Sequence, residues 1–157
     1  MIRIEDHTLQ DTLNGIYYQV QKSVPFAQNH NFGQNIFDIF YNLKEVTKFA
    51  NDKDGIEQVQ SMQTLFGPNN IHGQPWYGDC DCFTVCVLTC LKVAGYDQAY
   101  IFLVGADASG PSHVYPAIDF MGTKFALDLT TNEAGMHRKT NSLGQKYKFK
   151  QIIDVYL

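Results

Sequence analysis

Leu9, Leu13, Ile16, Tyr17 and Val20 recur at helical spacing and predict a first helix over residues 8–24. Gly15 weakens that helix, and Pro25 is expected to end it. A stronger stripe follows over residues 34–50, where Ile36, Phe37, Phe40, Leu43 and Ala50 recur at three and four and Val46 fills the same face. The aromatic stripe Phe37, Phe40, Tyr41 and Phe49 reads as core. Residues 51–55 form a polar break. Residues 56–66 read as a short helix stopped by Gly67 and Pro68.

The second half has a different pattern. Residues 67–79 (GPNNIHGQPWYGD) are a turn-rich loop. From Cys80 to Ala94 the apolar residues cover nearly the whole helical circumference, and Gly95 sits at the helix end. A helix that is apolar all round and this short is a buried central helix. Residues 99–106 form a continuous apolar run and predict a buried strand. Residues 112–120 and 123–130 predict two strands around a turn at Met121 and Gly122, and residues 147–156 predict a last strand. Helices come first and an antiparallel sheet follows, so the fold class is α+β.

Composition narrows the possibilities. The 157 residues suit one domain over residues 1–157, with a helical N-terminal part (1–66) and a core containing the sheet (67–157). Hydrophobic residues make up 45% and charged residues 18%, enough to build a core and inconsistent with a disordered chain. The net charge of -4 argues against a partner held through phosphates, so no nucleic acid is expected. No apolar run reaches the roughly 20 residues of a membrane span. The first ten residues lack a signal pattern, so no export signal is read.

All four cysteines fall within eleven residues, at 80, 82, 86 and 90. Disulfides between them would close almost no loop, so reduced thiols are expected. Cys82, Cys86 and Cys90 are spaced by four and form one helical stripe of small buried hydrophobes. Cys80 points away from that stripe and opens the helix behind Gly78 and Asp79. The positive end of the helix dipole favours a thiolate there, and the backbone amides nearby can stabilise an oxyanion. A thiol nucleophile needs a base, and the base needs an orienting group. His113 starts one predicted strand and Asp128 lies on the next. With the turn at 121–122 or 122–123, Asp128 falls opposite an odd-numbered residue, on the same face as His113. The central helix is expected to pack on that face.

The stretch WYGDCDCFTVCVLTCLKVAGY resembles the catalytic-cysteine segment of transglutaminase-like proteins, and HVYPAIDF with TKFALDLT resembles their histidine strand and the strand that follows. The segment over residues 52–81 is similar to the lead-in of phage-encoded members. The likeness covers about residues 52–131. It implies a papain-like core and thiol-dependent acyl transfer on an amide or peptide bond. Cys80 would be the nucleophile, His113 the general base and acid, and Asp128 the orienting carboxylate. Gln74, Trp76 and Tyr77, just upstream of the nucleophile, become candidates for the oxyanion hole or substrate groove. Cys82 stands where the family has a second aspartate, and Leu129 where it has proline.

The reaction expected is hydrolysis (peptidase or amidase) rather than cross-linking, with no cofactor and no metal. The expected partner is a protein or peptide substrate, such as a peptidoglycan peptide, or other virion proteins. The expected location is the host cytoplasm or the virion. The alternative is a virion structural or assembly protein with the same fold and little or no catalysis. A mixed metal site of Cys80, Cys82, His72 and His113 is a weaker alternative. His7, His30, His72 and His137 read as surface or loop residues. Asp119 and Asp107 are the rival carboxylates, and Asp119 lies too far along its strand to reach His113.

Overall fold

A computed structural model describes residues 9–51, 59–107 and 110–157. His7, residues 52–55 of the polar break and residues 56–58 of the expected third helix lie outside the described residues.

Helix α1 (Leu9–Asn29) buries Leu13, Ile16, Val20 and Ala27. It runs through Pro25 instead of ending there. Proline removes one backbone donor and crowds the preceding turn. Neighbouring bonds offset that cost. Ser23 Oγ donates to the Gln19 carbonyl at 2.6 Å, and Gln63 Nε2 donates to the Lys22 carbonyl at 2.8 Å. Beyond the proline, Ala27 is buried and Phe26 packs against Phe66 and Trp76. Packing holds the last turn where local preference would release it.

Helix α2 (Ile36–Val46) starts at Asn35, whose side chain accepts from the Asp38 amide. Its buried face is Ile36, Ile39, Phe40 and Leu43. Phe37, Tyr41 and Phe49 are exposed, so the expected aromatic core stripe reduces to Phe40. The helix ends at Val46, earlier than expected. Thr47 turns the chain extended, and β1 (Lys48–Phe49) pairs in parallel with β2 (Tyr77–Gly78). The bonds from Lys48 N to Trp76 O and from Ala50 N to Gly78 O replace the helical ones. Helix α3 (Met62–Phe66) is capped by Ser61 and stops at Gly67.

Helix α4 (Cys80–Val93) is buried at every residue from Asp81 to Leu91. Gly95, at φ +99°, ends it with bonds from Gly95 N to Lys92 O and from Tyr96 N to Leu91 O. A β-carbon on Gly78 would lie 2.8 Å from Leu65 Cδ1 and 3.0 Å from Cys82 Cβ. Glycine is therefore required for β2 to approach α4 so closely.

The main sheet has the order β5-β4-β3-β6 and is antiparallel throughout. Its strands are β3 (Gln98–Gly105), β4 (His113–Phe120), β5 (Thr123–Ala126) and β6 (Phe149–Tyr156). The molecule is thus α+β. The turn falls at Met121 and Gly122, with Phe120 opposite Thr123. Strand β5 stops at Ala126, short of residue 130, because Asp128 folds the chain into a turn with Thr131 N bonded to its carbonyl. Strand β6 begins at Phe149, since Tyr147 N bonds to Lys139 O in the preceding loop.

The two faces of the sheet pack differently. Ile101, Leu103, Val114 and Ile118 join the core formed with α1, α2 and α4. Tyr100, Phe102, Val104, Tyr115 and Ala117 form a second cluster on the other face. His113 pairs with Val104 and alternates with Val114, so it belongs to that outer face. This corrects the expectation that α4 packs on the face of His113. The apolar side chains at 114 and 118 decide which face receives the helix.

Candidate active site

Cys80 is the first residue of α4, and Asp79 precedes it in extended conformation. Both line a cleft of about 720 Å³. His113, at the start of β4, lines the same cleft. The helix end reaches the strand end because the Val114 backbone amide lies against the Cys80 sulfur. Helix and histidine therefore meet at the rim of the sheet, although the body of the helix packs on the opposite face from the imidazole.

His113 Nε2 lies 2.7 Å from Asp128 Oδ2, and both residues are buried. Asp128 Oδ1 accepts from the Thr130 amide at 3.0 Å and the Thr130 hydroxyl at 2.7 Å. Arg138 Nη1 donates to that hydroxyl oxygen at 3.2 Å. Lys44 Nζ donates to the Leu129 carbonyl at 3.1 Å and ties α2 to the same turn. Burial acts to raise the Asp128 carboxyl. The His113 bond and charge, with the two Thr130 donors, more than compensate and hold it below the usual carboxylate range. With Asp128 accepting from Nε2–H, Nδ1 is the ring nitrogen left to exchange a proton with the cleft.

Cys80 is half-buried, and its sulfur lies 3.7 Å from Asp81 Oδ1. Burial pushes its thiol well above the ordinary value, and the carboxylates of Asp81 and Asp79 push it further. The Val114 amide pulls the other way. This corrects the expectation of a thiolate favoured by the helix dipole. Burial is the largest cause, and two acidic residues flank the helix end. Cys82, Cys86 and Cys90 are buried thiols outside any disulfide, and burial pushes Cys82 and Cys90 up to about 12.

None of the three upstream candidates lines the cleft. Gln74 is exposed. Trp76 is buried against Phe26, Phe32 and Phe66. Tyr77 is half-buried in β2. The parallel pairing of β1 with β2 turns this segment toward α1 and α3, so the cleft is walled instead by Phe49, Phe83 and Tyr147. The Tyr147 ring stacks on His113 with centroids 6.4 Å apart and planes 12° from parallel.

Tyr147, Arg138 and Lys44 come from distant segments and carried no signal in the sequence. Thr130 was legible, since a hydroxyl two residues after an aspartate is a common turn partner. His137 is more than a loop residue: Nδ1 lies 3.0 Å from the Tyr115 hydroxyl and Nε2 2.8 Å from the Lys124 carbonyl. Asp119 accepts from the Tyr100 hydroxyl at 2.6 Å. Among the described residues no three His, Cys, Asp or Glu side chains gather to hold a metal, so Cys80, Cys82, His72 and His113 do not form the mixed site. No described helix is long and apolar enough to cross a membrane.

Fold and site together define an α+β protein with a cysteine at a helix N-terminus and a buried His–Asp pair on one cleft. No family model matches the chain, and no curated protein or solved structure is significantly similar to it.

Proposed function

We propose that this protein carries out thiol-dependent acyl transfer on an amide or peptide bond, with hydrolysis as the usual outcome. The observation that carries this reading is that Cys80 and His113 line one cleft while Asp128 holds the imidazole from behind. A transglutaminase-like, papain-like arrangement accounts for the order of the three residues in the chain.

The chemistry runs as follows. Cys80 rests as a thiol, so its proton leaves during attack. His113 Nδ1 takes that proton while Sγ bonds to the carbonyl carbon. Asp128 accepts from Nε2–H and stabilises the imidazolium. Cys80 opens α4, so the positive end of the helix dipole lies at the reacting carbon and would favour the oxyanion. The carbon–nitrogen bond then breaks, and His113 returns the proton to the leaving amine. Water releases the acyl group from the thioester, or a second amine takes it.

A second reading is a virion assembly protein that keeps the fold without turnover. The raised Cys80 thiol favours it, because a protonated sulfur is a weak nucleophile.

The test is acetylation by p-nitrophenyl acetate, followed by peptide mass mapping. Acetyl on Cys80 that forms and then decays, slowed in His113→Ala and absent in Cys80→Ala, supports acyl transfer. Label only on lysines, with Cys80 unmodified, selects the assembly reading.

A further inference from the structure

A second cavity of about 810 Å³ adjoins the cleft on the outer face of the sheet. Its floor is apolar and includes Phe102, Tyr115 and Ile152. Its rim is cationic, with Lys124, Lys139, Lys146 and Lys150 all exposed beside Arg138. Among the described residues, no aspartate or glutamate lines it. The two cavities share Arg138 and Tyr147, so they run side by side. Among the described residues, the cleft adds Lys44 and Lys48 against one carboxylate, Asp79.

This charge is concentrated against the trend of the chain. The sequence has 12 Lys and Arg, 16 Asp and Glu, and a net charge of -4. The described residues include ten of those cations and eleven of those acids, and the two cavities take seven of the ten but only Asp79 of the eleven. Even scatter would have put acids there in slight excess. Cavities lined by one sign focus the field and concentrate ligands of the other sign.

We infer that the substrate of the Cys80 site is a peptide with an acidic segment beside the reacting amide, bound along Lys139, Lys146 and Lys150. This inference rests on the acyl-transfer reading. That reading needs an acyl–nitrogen bond, which a nucleic-acid backbone does not offer. Among the described residues outside the two cavities acids outnumber cations, which repels a long polyanion and tolerates a short one. The volume suits a ligand of a few residues, within the roughly 300–1,000 Å³ typical of ligand sites. The aromatic floor would pack against the aliphatic stems of the acidic side chains.

The experiment uses the full chain carrying Cys80→Ala. Fluorescence anisotropy compares a glutamate-rich peptide, glycine-serine and lysine-rich peptides of equal length, and single-stranded DNA of equal charge. We expect the acidic peptide to bind at least about tenfold more tightly than the neutral one and to weaken as salt shortens the Debye length below about 10 Å. Lys146→Glu with Lys150→Glu should lose about tenfold or more, with the circular dichroism spectrum unchanged. Lys22→Glu with Lys92→Glu changes the net charge equally outside the two cavities and should leave binding within about twofold.

In wild-type protein the acidic peptide should also slow acetylation of Cys80, because its bound chain reaches the cleft. Binding without that protection overturns the substrate assignment, as does DNA binding as tight as the acidic peptide or the absence of any preference. A preference for the acidic peptide with Cys80 never acetylated supports the groove and overturns acyl transfer. An acetylated Cys80 with no acidic preference overturns this inference alone.

Discussion

His113 and Asp128 meet at 2.7 Å although one opens β4 and the other stands two residues past the end of β5. The β4–β5 register brings them together. Phe120 faces Thr123 and Ala117 faces Ala126, so the same register carried onward sets Asp128 opposite Tyr115, one diagonal step from His113. Thr130 and Arg138 then fix the carboxylate from its other side.

That arrangement has a pH signature. Asp128 is held below the usual carboxylate range, so the folded protein binds fewer protons than the unfolded chain as acid is added. Its stabilisation is complete above the unfolded value of about 3.9 and is lost as pH falls through the folded value. In Asp128→Asn the melting temperature should therefore change less than in wild type between about pH 5 and pH 2.5. The same variant should keep its fold and lose about 10²- to 10⁴-fold in p-nitrophenyl acetate turnover, as expected when a base loses its orienting partner. Wild-type turnover in Asp128→Asn would show that the pair is structural.

Asp81 is the nearest charge that raises the thiol beyond the effect of burial. Its carboxylate lies beside the Cys80 sulfur and, after burial, is the largest influence raising it. Asp81→Asn should lower the thiol and speed alkylation of Cys80 by iodoacetamide at pH 8, by about tenfold for each unit of change. Cys82, Cys86 and Cys90 should stay unlabelled in the folded protein, because all three are buried. An alkylation rate unchanged by Asp81→Asn would remove the electrostatic account.

Ser23 holds the helix that runs through Pro25. Its hydroxyl donates to Gln19 O at 2.6 Å and accepts from Met62 N at 2.9 Å, linking α1 to α3. Ser23→Ala leaves the buried Met62 amide unpaired and should cost about 1–3 kcal/mol in urea unfolding. A loss within experimental error would mean that water replaces the hydroxyl.

Met121 sits in the β4–β5 turn at φ +51° and is 87% exposed, next to Gly122 at φ +81°. Asparagine adopts that conformation at less cost than methionine. Met121→Asn should raise stability by about 1 kcal/mol, read from the urea midpoint at constant slope, with the site unaffected. A destabilised variant would show that the methionine side chain makes a contact worth more than the strain.

Much of this protein follows from local pattern. The all-round apolar run from Cys80 marks a buried helix, Gly95 ends it, and Met121 with Gly122 fixes the hairpin register. These features depend on residues close together in the chain, where side-chain period and turn chemistry act directly. The same local arithmetic placed Asp128 and His113 on one face.

Tertiary structure decided the rest. Pro25 is tolerated because Ala27 and Phe26 are packed beyond it, and no local rule counts that burial. Phe37 yields its core place to Ile39, since the helix turns to meet neighbours distant in sequence. Gln74, Trp76 and Tyr77 do not line the cleft, Trp76 being packed among Phe26, Phe32 and Phe66, and contacts between segments so far apart leave no periodic trace. The charge on the cleft and groove, and the state of the Cys80 thiol, are sums over groups gathered from four or more segments. Order along the chain named Cys80, His113 and Asp128. Burial and field, which exist only once the chain is folded, set the form in which each of them stands.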